Sequence, residues 1–234
     1  MSTDIISLKQ QAAERAVEYV ESGMVVGLGH GSTAILAVHR LAELLRTKQL
    51  DDVVCVPCSI QTETEARKLG IPLTTLEERP EVDLTIDGAD EVDPNLNLIK
   101  GGGGALLREK IVAQASRREI ITVDETKLSP VLGIKWPVPV EVIPFGWGSQ
   151  AQFLESLGAK VNPRRDTGET LFKTDQGNLI LDCNFGPIPE PALLAYELEK
   201  RVGIVEHGMF LGLATEVIVA GRKGIRQLKR KTEN

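Results

Sequence analysis

From Met24 to Asp124, short apolar runs alternate with segments whose apolar residues recur at helical spacing. This alternation constrains the fold more than any other feature of the chain. A short run that is apolar throughout must be covered on both faces, and a helix between consecutive runs supplies that cover while leaving the runs parallel. The spacing predicts a helix over Ile6–Ser22 stopped at Gly23, then a strand over Met24–Leu28. Ser32 or Thr33 is expected to cap a helix reaching Arg46, with Ile35, Leu36, Val38, Leu41 and Leu45 on its apolar face. Strands are expected at Asp52–Val56, Val82–Ile86 and Ile120–Val123, and helices at Gln61–Leu69 and Ala105–Ser116. The class is therefore α/β, a parallel sheet with helices on both faces.

After Pro130 the texture changes. The stretch WPVPVEVIPFGWG is proline-rich and strand-like, Ala151–Leu157 is helical, and Ala159–Asn162, Thr170–Thr174 and Leu179–Asn184 read as strands. Pro189–Arg201 is helical, with Pro191 near its first turn, where a missing N–H does little harm. This pattern describes a smaller α+β lobe over 131–206. Residues 1–130 and 207–234 then make the larger domain, with Gly208–Phe210 and Glu216–Val219 as strands that return to its sheet. The basic tail Arg222–Lys231 reads as a solvated helix face.

Composition narrows the partners. A formal net charge of −6 speaks against a nucleic-acid surface, which needs clustered Lys and Arg. No apolar run is long enough to span a bilayer, so no membrane partner is expected. The N-terminus lacks a basic segment followed by an apolar one, so the expected location is cytoplasmic. Cys55 and Cys58 form a C-x-x-C, but Cys55 ends an apolar run and Pro57 bends the chain, so a structural role is expected for the pair.

Four polar blocks follow expected strands: Gly27–Thr33, Asp87–Asp90, Lys100–Gly104 and Asp124–Lys127. Ligands of parallel α/β sheets bind outside the carboxyl ends of the strands, so four such blocks point to one shared site. In the first block, glycines and the start of a helix offer backbone N–H groups to an anion, and Ser32 and Thr33 can add hydroxyls. The spacing fits neither a dinucleotide fingerprint nor a P-loop, so phosphate binding and a plain capped glycine turn both stay open here.

Asp87 and Asp90 read as a polar grip on sugar hydroxyls, with one acid able to shuttle a proton. A metal site built from Asp83, Asp87, Asp90, Glu91 and Asp93 is the minor reading, because the calcium-loop order is absent and no histidine is near. Glu109 has Ala105, Leu106, Val112 and Ala113 as its helical neighbours. Apolar surroundings disfavour the ionised carboxylate and move it toward the range of a general base. Lys100 and Lys127 are the cations available to clamp a phosphate or a developing oxyanion. His39 and His207, in apolar-rich stretches, read as structural.

The blocks GLGHGSTA, IDGADEVD, IKGGGGALLREK, DETK and VEHGMF, in this order, resemble the type A ribose-5-phosphate isomerases over nearly the whole chain. The resemblance implies a Rossmann-like α/β domain with a smaller α+β lobe, assembled as a homodimer or homotetramer. It also implies interconversion of D-ribose 5-phosphate and D-ribulose 5-phosphate in the pentose phosphate pathway, with no cofactor and no metal. Glu109 then falls on the base that moves a proton between C1 and C2, and Asp87 on the acid that helps open the furanose ring. Lys100 falls on the group that stabilises the enediolate oxygens. Substrate binding falls to His30, Gly31, Ser32, Thr33, Asp87, Gly88, Ala89, Asp90, Lys100, Gly101, Gly102, Gly103 and Lys127. The chain departs from the usual pattern in having His30 for Thr and Gly104 for a frequent Ala. The alternative function is a non-catalytic sugar-phosphate sensor domain, which would keep the Gly27–Thr33 loop without needing Glu109.

Overall fold

The computed structural model describes residues 2–230, with side chains described from Ile6 onward. The first elements are α1 (Ser2–Val17), β1 (Val25–Leu28), α2 (Ala34–Arg46), β2 (Val54–Pro57), α3 (Ile60–Lys68) and β3 (Leu84–Gly88). Two short strands follow, β4 (Glu91–Val92) and β5 (Leu98–Ile99), then α4 (Leu106–Ala115) and β6 (Glu119–Asp124), which ends in a single 3-10 turn, Glu125–Lys127. Next come β7 (Val138–Val142), α5 (Trp147–Ser156), β8 (Lys160–Pro163), β9 (Leu179–Asn184) and α6 (Pro191–Glu199). The last strands are β10 (Ile204–His207), β11 (Met209–Phe210), β12 (Glu216–Gly221) and β13 (Gly224–Lys229). No helix among the described residues is long and apolar enough to cross a membrane.

The chain divides into two compact units. One comprises residues 1–89, 108–127 and 212–234, the other 90–107 and 128–211. The division sets residues 90–107, 128–130 and 207–211 with the smaller lobe rather than with the larger domain. Their backbone explains why: β4, β5 and β11 hydrogen-bond to one another as a small three-stranded sheet within the second unit.

The first unit is built on a six-stranded sheet in the order β13-β12-β6-β3-β1-β2, parallel except for β13. Side-chain alternation sorts its strands between two layers. Val26 and Leu28 of β1 and Cys55 of β2 enter a core formed with Ala12, Ala13 and Ala16 of α1 and Ala37, Val38 and Leu41 of α2. Val56 of β2 turns the other way, toward Val112 of α4. Gly27 also faces α4, where a Cβ would stand 2.8 Å from Val112 Cγ1, so the missing side chain lets the helix approach the sheet. The buried stripe of α2 is Ala34, Ala37, Val38, Leu41 and Ala42, while Ile35, Leu36 and Leu45 lie at its margin. Close packing against α1 favours the smaller side chains.

Two sequence expectations are corrected here. Gly208–Phe210 does not return to the large sheet; β11 pairs with β5 instead. The basic tail is not a helix face but the edge strand β13, paired antiparallel with β12 (Lys231 lies outside the described residues). Its outer edge carries Arg226 and Lys229, a charged finish that discourages further strand pairing.

The second unit adds a four-stranded antiparallel sheet, β10-β7-β9-β8. Val138, Val140 and Val142 of β7 join Leu179, Leu181 and Cys183 of β9, with Leu154 of α5 and Leu198 of α6, in one apolar core. Thr170–Thr174, expected as a strand, makes only isolated bridges, Arg165 with Leu171 and Lys173 with Leu179.

Candidate active site

Three of the four polar blocks lie at carboxyl ends of the parallel sheet, after β1, β3 and β6. The fourth, Lys100–Gly104, follows β5 in the small three-stranded sheet, so the expectation of four blocks along one parallel edge is corrected. Of the two remaining places on that edge, one belongs to Cys58 and Ser59, which follow β2, and the other to the turn from β12 into β13.

After β1 the chain runs through Gly29, His30, Gly31 and Ser32 into α2, whose N-cap residue is Thr33. Neither expected hydroxyl caps the helix: Thr33 makes no side-chain cap bond, and Ser32 Oγ accepts from Lys9 Nζ at 2.9 Å. The loop is held from below instead. The main-chain N–H of His30 donates to Asp87 Oδ1 at 3.0 Å, and Gly88 N–H donates to the same oxygen at 2.7 Å. Thr62 Oγ1 donates to Gly29 O at 3.0 Å, and the His30 ring Nδ1 lies 3.0 Å from Ser59 Oγ. Gly29 is required here, because a Cβ would lie 2.5 Å from the Asp87 Cα.

Asp87 is almost wholly buried at the end of β3, where Thr122 Oγ1 of neighbouring β6 donates to its carbonyl at 3.0 Å. Glu109, in the first turn of α4, is 4% exposed and has buried Val112 and Ala113 as helical neighbours. Cys58 is the third member of the group: donor atoms of Cys58, Asp87 and Glu109 all lie within 4.8 Å of one another. Cys58 also packs with Val56, Val82 and Val112 in a buried apolar cluster, the structural place expected of it. Its position directly after β2 also brings its sulfur toward the two carboxylates. Cys55, one face over, is core as expected, and burial pushes its thiol up to about 12.

Lys127 closes the 3-10 turn after β6, whose start is fixed by Thr126 N–H donating to Asp124 Oδ1 at 2.9 Å. The turn follows β6, the strand next to β3 in the sheet. Ala89 ends the first unit's run after β3.

In the second unit, Asp90 Oδ2 accepts the N–H of Gly102 at 2.8 Å, so one of its oxygens shapes the glycine loop. Gly101 has a left-handed φ of 99°, and Gly103 continues the turn. Arg164, which no sequence signal singled out, donates to Gly101 O at 2.7 Å and Gly102 O at 3.2 Å while pairing with both carboxylate oxygens of Asp182. Gly104 also has a left-handed φ, 85°, and the Phe172 ring fills the place a Cβ would take. That accounts for glycine at a position where alanine is frequent in the resembled family. Lys100 is buried, with its ammonium 5.3 Å from the centre of the Phe210 ring.

The carboxylates of the minor metal reading are engaged in holding backbone. Asp83 Oδ2 accepts from Val25 N–H, Glu91 from Gly133, Lys135 and Trp136 N–H, and Asp93 from Asn95 and Asn97 N–H. His39 is half-exposed beside Glu65 at 3.2 Å, whereas His207 is buried and accepts from Met209 N–H at 3.3 Å.

Residues 54–224 match the family model of ribose 5-phosphate isomerase A (phosphoriboisomerase A). A ribose-5-phosphate isomerase A of Desulfatibacillum aliphaticivorans is 58% identical over 95% of this chain and 97% of its own length. That of Chloroflexus aurantiacus is 56% identical over 97% of this chain and 95% of its own. Among solved structures, a D-ribose-5-phosphate isomerase in complex with phospho-erythronic acid superposes with a TM-score of 0.94 at 40% identity, covering 97% of this chain and 99% of that one. Ribose 5-phosphate isomerase of Plasmodium falciparum also gives 0.94, at 42% identity, covering 97% of this chain and 100% of that one.

Proposed function

The chain belongs to the ribose 5-phosphate isomerase A family, and from that membership we propose a division of labour among its residues. It is an aldose–ketose isomerase that interconverts D-ribose 5-phosphate and D-ribulose 5-phosphate. The observation that carries the assignment of roles is the convergence of two buried carboxylates, Asp87 and Glu109, at the carboxyl edge of the parallel sheet.

Asp87 assists opening of the furanose by exchanging a proton with the sugar hydroxyl. The Glu109 carboxylate then takes the proton from C2 of the open-chain aldose. The C–H electrons form the C1–C2 double bond, and charge develops on O1. The hydroxyl proton passes from O2 to O1, and Glu109 returns its proton to C1 as the carbonyl forms at C2. One base that gives back what it takes suffices for this transfer. Lys100 stabilises the enediolate oxygens, a role that rests on the family resemblance and that a buried ammonium suits. With that cation in place, the reading needs neither metal nor organic cofactor.

Substrate binding is assigned to the loop His30, Gly31, Ser32 and Thr33 with Lys127 for the phosphate, and to Gly88, Ala89, Asp90 and Gly101–Gly103 for the sugar. The position of the first loop at a helix start supports this. The sensor alternative is not favoured, because the relatives are named as isomerases. A homodimer or homotetramer is proposed on the family resemblance alone. A coupled assay of ribulose 5-phosphate formation, run on the chain and its Glu109 variant, tests the reading.

A further inference from the structure

Cys58 has no part in the isomerisation just described, yet it sits fully buried with its sulfur among the two carboxylates that carry it out. We propose that Cys58, Asp87 and Glu109 form a binding site for a thiophilic divalent cation of the zinc class, and that occupancy inhibits the enzyme by tying up the proton-carrying Glu109. The proposal rests on the assignment of Glu109 as base only for its inhibitory consequence; the binding site itself does not depend on that assignment.

The donor chemistry fits. Zinc takes thiolate sulfur at about 2.3 Å and carboxylate oxygen at about 2.0–2.2 Å, which puts tetrahedral donor atoms about 3.4–3.6 Å apart. The three donors already lie within 4.8 Å of one another, so side-chain rotations moving them by about an ångström close the shell. Three protein ligands leave a fourth position open for water. On binding, the Cys58 thiol becomes a thiolate and its proton passes to solvent. The group lies at the carboxyl edge of the parallel sheet, where ligands of such sheets bind.

The test uses chelator-treated full-length protein without substrate. Cadmium is titrated in while the ultraviolet thiolate-to-metal absorption is read, and zinc affinity is measured by competition with a chromophoric chelator. Unsubstituted protein is compared with Cys58→Ser, Cys58→Ala, Cys55→Ser and Cys183→Ser, each checked for folding by circular dichroism. The expected result is one equivalent of metal with a thiolate band. Both Cys58 variants should lose the band and bind zinc more weakly by on the order of a hundredfold or more, since even outer partners of a metal site are worth 10–100-fold. Glu109→Gln should weaken binding but keep the band. Zinc should slow turnover, and ribose 5-phosphate should protect. A band that survives both Cys58 variants, or that follows Cys55 or Cys183, overturns the site. Zinc that accelerates the chelated enzyme overturns the inhibitory role. A Cys58-dependent band in a chain that fails to isomerise would sustain the site and count against the catalytic reading alone.

Discussion

The main-chain N–H of His30 donates to Asp87 Oδ1 at 3.0 Å, so the carboxylate at the end of β3 holds the glycine loop at the end of β1. Asp87 thereby has a duty toward the loop besides the one toward the sugar proposed for it.

Those duties separate by substitution. Asp87→Asn keeps an oxygen to accept from His30 and Gly88, whereas Asp87→Ala removes it. Hydrogen bonds to a charged group contribute about 1.5–3 kcal/mol each. Thermal denaturation should therefore show a clearly larger loss for Ala than for Asn. Both variants should lose about 10²–10⁴-fold in kcat/KM, since neither can exchange the proton. Equal melting temperatures would remove the loop-holding role.

Arg164 should matter although it is assigned no contact with substrate. Its guanidinium spans Asp182 and the carbonyls of Gly101 and Gly102, which a lysine cannot reproduce. Arg164→Lys and Arg164→Ala should each lower kcat/KM by on the order of tenfold, the equivalent of about 1.4 kcal/mol of lost positioning. Steady-state kinetics check this, with Gly102→Ala, whose Cβ would stand 2.8 Å from Asp90 Oδ1, as a second disturbance of the same loop.

Glu141 is a stability liability at neutral pH. It points away from the valines of β7 yet is fully buried; Thr174 and Asn178 donate to Oε1, and Oε2 finds no hydrogen-bond partner among the described residues. Burial raises its carboxyl above the ordinary 4.5, and the charges of Asp175 and Glu206 push it the same way. The folded state therefore holds this proton more tightly than the unfolded state. Stability from this group is fully present below 4.5 and falls as pH rises through the raised folded value. Glu141→Gln should raise the melting temperature at pH 7 and have little effect near pH 4. A melting temperature lowered equally at both values would contradict this.

Much of this was legible because it depends on period and neighbours. Alternating apolar runs gave the parallel strands, and the apolar residues one turn away from Glu109 anticipated its burial. Partners distant in sequence were not legible. Nothing in Arg164 signals that it reaches Gly101, and the nearness of Cys58 to Asp87 shows only when β2 is set beside β1. The edge strand β13 was missed because exposure on both faces erases alternation, leaving only its pairing with β12 to define it.

The central claim is that Glu109 carries the proton between C1 and C2. Glu109→Gln keeps the shape of the side chain and removes the base. The measurement is kcat in the coupled ribulose 5-phosphate assay beside calorimetric affinity for ribose 5-phosphate. The account predicts a fall in kcat of about 10²–10⁴ with binding retained. A kcat close to that of the unsubstituted enzyme would contradict it.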